Sequence, residues 1–125
     1  MNTISYFEIQ ASNPSTLVTF YKNVFGWNFV RDTNIPIEYY RLTGGATMGA
    51  ILARPQKTPP IGYGTNAFVC SIQVSNFDET SKKIIENGGI VALAKFAIPA
   101  KCWQGYFLDS DNNTFGIYEV DQAAK

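Results

Sequence analysis

Any chemistry in this chain must be done without imidazole, because the sequence contains no histidine. Its two cysteines, Cys70 and Cys102, are too widely spaced for a metal motif, and a thiol nucleophile would want a base beside it. Cys70 falls in an alternating pattern and reads as a small buried hydrophobe, whereas Cys102, beside Trp103 in a loop or strand start, is the more open to solvent. The group best suited to move a proton is Glu8, between Tyr6 and Gln10 on the polar side of an alternating segment. There a carboxylate can act as a general base or as a hydrogen-bond acceptor for a ligand. The plainer alternative is that Glu8 pairs with Arg41 or hydrogen-bonds to Gln73 and Ser71. Asp109 and Asp111 suggest calcium at first sight, but two carboxylates in a tight hairpin are turn chemistry.

The elements that must hold these groups follow from periodicity. Ile4 to Ala11 alternates, with Phe7, Ile9 and Ala11 opposite Tyr6, Glu8 and Gln10, and reads as a strand. Ser12-Asn13-Pro14 starts a helix over about 15–24, whose stripe is Leu17, Phe20, Tyr21 and Val24 and whose end is Gly26. Strands are expected at 27–31, 38–43 and 47–53, with a polar turn around Asp32 to Pro36. Arg54 to Gly64, rich in Pro and Gly, cannot continue a central strand and serves as a linker, taken as 54–66. A strand at 67–74, a helix at 77–87 capped by Asn76, and strands at 90–95, 104–109 and 114–120 complete the chain, with 121–125 as a frayed tail. Trp27 is expected in the core or at a subunit interface.

The two halves are copies of one unit. Ile9-Gln10-Ala11-Ser12-Asn13 returns as Ile72-Gln73-Val74-Ser75-Asn76, and the same offset of 63 residues lays Gly26 on Gly89. A second match, Tyr39 to Ile51 over Tyr106 to Tyr118, has an offset of 67 and makes Tyr39/Tyr106, Thr47/Thr114 and Gly49/Gly116 identical. Their order along the chain supports duplication.

Composition narrows the partners. With 125 residues, 46% of them hydrophobic, the chain is one domain with a real core. Ten basic and ten acidic side chains cancel, so no field favours nucleic acid or an anionic membrane. No apolar run approaches a bilayer span and the first residues do not resemble a signal peptide, which points to the cytoplasm.

Phe7-Glu8-Ile9, the string Phe20-Tyr21-Lys22-Asn23-Val24-Phe25-Gly26-Trp27 and the closing hairpin Asp109 to Glu119 together resemble the vicinal oxygen chelate superfamily, in its single-domain glyoxalase/bleomycin-resistance branch. The resemblance covers nearly the whole chain. It implies an α+β fold of two tandem βαβββ modules, 1–53 and 67–120, forming a U-shaped, partly open mixed β-sheet barrel around a central cavity, often within a homodimer.

Metal-bearing members of that family take ligands from the first and last strands of each module. The matching positions here are Tyr6, Gly49, Val69 and Gly116, which offer a single phenol and no competent set, so no cofactor is expected. Glyoxalase, dioxygenase and fosfomycin-opening chemistry all lean on that metal and are not expected. Strand alternation lines the implied cavity with Tyr6, Glu8, Gln10, Thr47, Ile51, Ser71, Gln73, Thr114 and Tyr118. Either Tyr39 and Arg41 or Tyr40 and Leu42 join them, the first pair being preferred, and Trp103 either caps the pocket or packs in a dimer seam. The leading expectation is a metal-free protein that binds a small organic molecule in this cavity. The alternatives are a metal-independent lyase or isomerase, with Glu8 as general base and Arg41 or Tyr6 steadying an enolate, and a structural or regulatory dimer with a vestigial pocket.

Overall fold

The structure is a computed structural model that describes residues 2–58 and 67–125. The chain divides into two compact units, Met1–Pro59 and Pro60–Lys125. Pro59, Pro60, Gly62 and Gly64 of the expected linker lie outside the described residues.

The first unit runs β1 (Tyr6–Ala11), α1 (Pro14–Phe25), β2 (Asn28–Arg31), β3 (Tyr39–Thr43) and β4 (Met48–Ala53). Its strands form one mixed sheet in the order β1-β4-β3-β2, with β1 parallel to β4 and the other pairs antiparallel. Asn13 caps α1 by accepting from the Thr16 amide at 3.3 Å, and Pro14 opens its first turn. The expected stripe of Leu17, Phe20, Tyr21 and Val24 is buried. Gly26 closes the helix at φ +72°, a conformation that glycine adopts without strain. Beyond it Trp27 stacks on Tyr21 with centroids 5.2 Å apart and lies 6.0 Å from Phe7. The tryptophan therefore belongs to this unit's own aromatic cluster.

The second unit repeats the plan with β5 (Ser71–Gln73), α2 (Phe77–Glu86), β6 (Ile90–Ile98), β7 (Cys102–Leu108) and β8 (Thr114–Val120), in the sheet order β5-β8-β7-β6. Asn76 caps α2 by accepting from Glu79 N at 2.9 Å, as its position predicts. Glu119, on β8, adds a second acceptor for the same helix start, taking the Phe77 amide at 2.6 Å. Asp109 is buried and accepts from the amides of Asp111 and Asn113 at 2.8 and 3.0 Å, which confirms turn chemistry for this hairpin. No helix among the described residues is long and apolar enough to cross a membrane.

Four expectations need correction. The strand expected over 67–74 is ordered as a strand only at Ser71–Gln73, so Cys70 precedes it and is exposed rather than buried. Strand β7 begins at Cys102, two residues ahead of the expected 104, so Cys102 and Trp103 form the strand start and not a loop, and Cys102 is the less exposed of the two cysteines. Strand β6 extends to Ile98 and bends at two register shifts, between Val91 and Leu93 and between Leu93 and Phe96, at the edge of its sheet. The tail is docked, not frayed. Ala124 is buried and its carbonyl accepts from Ala100 N at 2.9 Å, while Asp121 N donates to Lys101 O at 3.0 Å. Asp121 also accepts from Trp103 Nε1 at 3.0 Å; its bonds to the Ala123 amide and to Trp103 hold its carboxyl below the usual range.

Candidate functional site

The β1/β4 ladder decides which side chains share a face in the first unit. Tyr6 pairs with Met48, Phe7 with Gly49, Glu8 with Ala50 and Gln10 with Leu52; on β3, Tyr39 pairs with Leu52 and Arg41 with Ala50. Partners in a ladder present their side chains on the same side. One face therefore carries Tyr6, Glu8, Gln10, Tyr39, Arg41 and Met48, as the alternation of β1 and the preferred facing of β3 predict. The opposite face, toward α1, carries Phe7, Ile9, Tyr40, Leu42 and Ile51.

This register corrects the repeat alignment at β4. Gly49 pairs with Phe7, and in the second unit Gly116 pairs with Ser71, although the 63-residue offset makes Ser71 the counterpart of Glu8. The counterpart of Gly116 on the polar face is therefore Ala50, not Gly49. Ile51, expected with Glu8, is fully buried on the helix side, and Thr47 sits exposed in the bend ahead of β4 rather than in the strand.

A hydrogen-bonded chain crosses the polar face of the first unit. Tyr6 donates to Glu8 Oε2 at 3.0 Å, and the hydroxyls of Tyr6 and Tyr39 lie 2.6 Å apart. Tyr6 has one proton and gives it to Glu8, so Tyr39 is the donor in the second bond. Partial burial and the bond to the neighbouring Glu8 carboxylate hold the Tyr6 phenol well above its ordinary pKa. Arg41 does not pair with Glu8. Its guanidinium forms an ion pair and hydrogen bond with Asp32, whose other oxygen accepts from Asn34 N at 3.0 Å and fixes the turn before β3.

The polar face of the second unit gathers Ser71, Gln73, Thr114, Gly116 and Tyr118, joined by Gln104 and Tyr106 of β7. Gln104, only 7% exposed, donates to Ser71 Oγ at 3.0 Å, and Tyr118 donates to Gln73 Oε1 at 3.3 Å. Sequence reading missed Gln104 because it started β7 at that residue; its alternation with Tyr106 was the available signal. Trp103 is on the other side of β7, the side of Phe77 and α2, where Lys95 Nζ lies 4.8 Å from its ring centroid. It does not cap this polar face.

The residues at the family's metal positions do not fit a metal. By the resemblance these are Tyr6, Gly49, Val69 and Gly116, with the strand register putting Ala50 in the place of Gly49; either set holds one oxygen donor, a phenol already bonded to Glu8 and Tyr39. At Gly116 a β-carbon would stand 2.8 Å from Gln104 Nε2 and closer still to Ser71 Oγ, so a ligating side chain there requires both of those side-chain ends to move. Among the described residues, no three His, Cys, Asp or Glu side chains are grouped to hold an ion.

Residues 3–117 match the family model described as Glyoxalase/Bleomycin resistance protein/Dioxygenase superfamily. Among solved structures, the chain is similar to a glyoxalase/bleomycin resistance protein/dioxygenase family enzyme from Burkholderia phytofirmans PsJN, with 21% identity and a TM-score of 0.75, covering 94% of this chain and 98% of that one. It is similar also to the fosfomycin resistance protein FosX from Listeria monocytogenes, with 13% identity, a TM-score of 0.74 and coverage of 97% and 93%. A third similar structure is the lactoylglutathione lyase from Agrobacterium tumefaciens, with 18% identity, a TM-score of 0.64 and coverage of 95% and 94%. No curated protein matches.

Proposed function

The chain belongs to the Glyoxalase/Bleomycin resistance protein/Dioxygenase superfamily, and from that premise we propose that it is a metal-free member that binds a small organic molecule on the polar faces of its sheets. The observation that carries this reading is at Gly116. A ligating carboxylate there would have to displace the Ser71–Gln104 hydrogen bond, which favours polar side-chain packing over coordination at this position. A phenol, a thioether and a carboxylate standing together at Tyr6, Met48 and Glu8 are the mixture of apolar surface and few polar anchors that small-molecule sites use. Catalysis of the lyase or isomerase type is less well supported, because the Tyr6 proton is committed to Glu8 and Arg41 is held by Asp32, leaving neither group aimed at an enolate.

We place this function in the cytoplasm and in a homodimer, whose formation would cover some of the exposed apolar side chains such as Phe68 and Leu93. Native mass spectrometry with elemental analysis of the freshly purified protein tests the reading. A bound organic molecule without stoichiometric metal is expected. Stoichiometric zinc, nickel, manganese or iron would overturn the metal-free assignment, and a ligand-free protein that no amine, keto acid or aromatic amide stabilises against heat would overturn the binding assignment.

A further inference from the structure

The proton count of the Tyr6 cluster specifies what kind of group it can receive. The hydroxyl proton of Tyr6 goes to Glu8, and that of Tyr39 goes to Tyr6. As a carboxylate, Glu8 has no proton to offer. Every valence the three groups have left is therefore an acceptor: the second oxygen of Glu8 and the lone pairs of Tyr39. Glu8 Oε2 and the Tyr39 hydroxyl both bond to the Tyr6 oxygen, at 3.0 and 2.6 Å, which gathers the remaining lone pairs of the two groups in one place on this face. Among the described residues, the nearest cation on this face by register, Arg41, has its charge offset by Asp32 and does not cancel the charge of Glu8. Met48, the ladder partner of Tyr6, is 65% exposed and offers a polarisable apolar surface beside the cluster.

Resting on the small-molecule reading above, we propose that the Tyr6–Glu8–Tyr39 cluster takes the ammonium group of a small amine, with the amine's carbon body against Met48 and the tyrosine rings. An alkylammonium has three donors and no acceptor, which complements a cluster with acceptors and no donor. Its hydrogen bond to Glu8 is charge-assisted, and the faces of the tyrosine rings attract a cation. A carboxylate or enolate in the same place would meet the charge of Glu8 with no proton to bridge them.

Three probes of matched size separate the possibilities: 2-phenylethylammonium, 2-phenylethanol and 3-phenylpropionate, titrated at neutral pH and followed by NMR shifts of the Tyr6, Tyr39 and Met48 resonances. The ammonium is expected to bind at least about tenfold more tightly than the alcohol, and the carboxylate more weakly than both. Glu8→Gln should erase that tenfold preference. Glu8→Asp, which retains the charge, guards against a Glu8→Gln variant that fails to fold, and should keep the preference for the ammonium. If the alcohol or the carboxylate binds this face as tightly as the ammonium, the amine assignment falls and the binding reading stands. If none of the three shifts these resonances at millimolar concentration, both fall.

Discussion

Phe7 lies across Gly49. A β-carbon at Gly49 would fall inside contact distance of the Phe7 ring, with the Cε2 edge at 2.7 Å, so the glycine is the floor on which that ring rests. The same ring meets Trp27 of the aromatic cluster, and the absence of one methyl group thus lets β4 pass under the core of the first unit.

Gly49→Ala is therefore expected to destabilise the protein by about 1–3 kcal/mol through overpacking, read from urea unfolding. Phe7→Leu in the same chain should recover part of the loss. If the single variant is as stable as the parent, the close approach of this ring is not a constraint.

Asp109→Ala leaves two backbone amides of a tight turn without their acceptor. A loss of about 2–3 kcal/mol is expected, with a drop in melting temperature. Asp109→Asn retains a carbonyl acceptor and should cost less. Equal losses for the two variants would mean that the carboxylate charge, and not the amide bonds, holds the hairpin.

Tyr6 ionises at higher pH in the folded protein than in the unfolded chain. Below an unfolded tyrosine pKa of about 10 both states keep the proton and this difference has no effect; above it the unfolded chain releases the proton first, so stability falls as pH rises. Tyr6→Phe should remove this part of the alkaline loss in melting temperatures taken across pH 9 to 11, about one unit either side of the ordinary value. A variant with the parent's alkaline profile would place the Tyr6 phenol in ordinary solvent.

Gly116→Glu supplies the carboxylate that metal-bearing relatives would carry, yet it should not create a metal site, because the Ser71–Gln104 pair fills the space around it. The variant is expected to lose stability and to gain no metal-dependent rise in melting temperature with added zinc or manganese. Metal-dependent stabilisation of the single variant would show that the pair yields readily.

The helices, the Ser12-Asn13-Pro14 helix start, the Asn76 cap, the buried stripe of α1 and the Asp109 turn were legible in the sequence because each rests on short-range chemistry. The membership of Tyr6, Glu8, Gln10, Tyr39 and Arg41 in one face was legible too, from alternation within β1 and a choice at β3. The register of β4 was not. Gly49 and Gly116 are identical and suggest equivalence, but the first makes room for a phenylalanine ring and the second for a serine–glutamine pair, on faces that do not correspond. Identity at a glycine records a need for space and not the direction in which the space lies. The side of Trp103 and the docking of Ala124 depended on where β7 begins and on contacts across β6 and β7, which periodicity in one segment does not report.

The two bulges of β6 bear on solubility. This strand ends its sheet and exposes Ile90, Val91 and Leu93, a composition that on a straight edge would recruit the same strand of another molecule and grow into fibrils. The register shifts at Val91/Leu93 and Leu93/Phe96 break the even row of amides and carbonyls that such growth needs. Irregularity here is a guard against polymerisation, and deleting Ala92, which removes the first of the two shifts, is expected to make the chain more prone to aggregate.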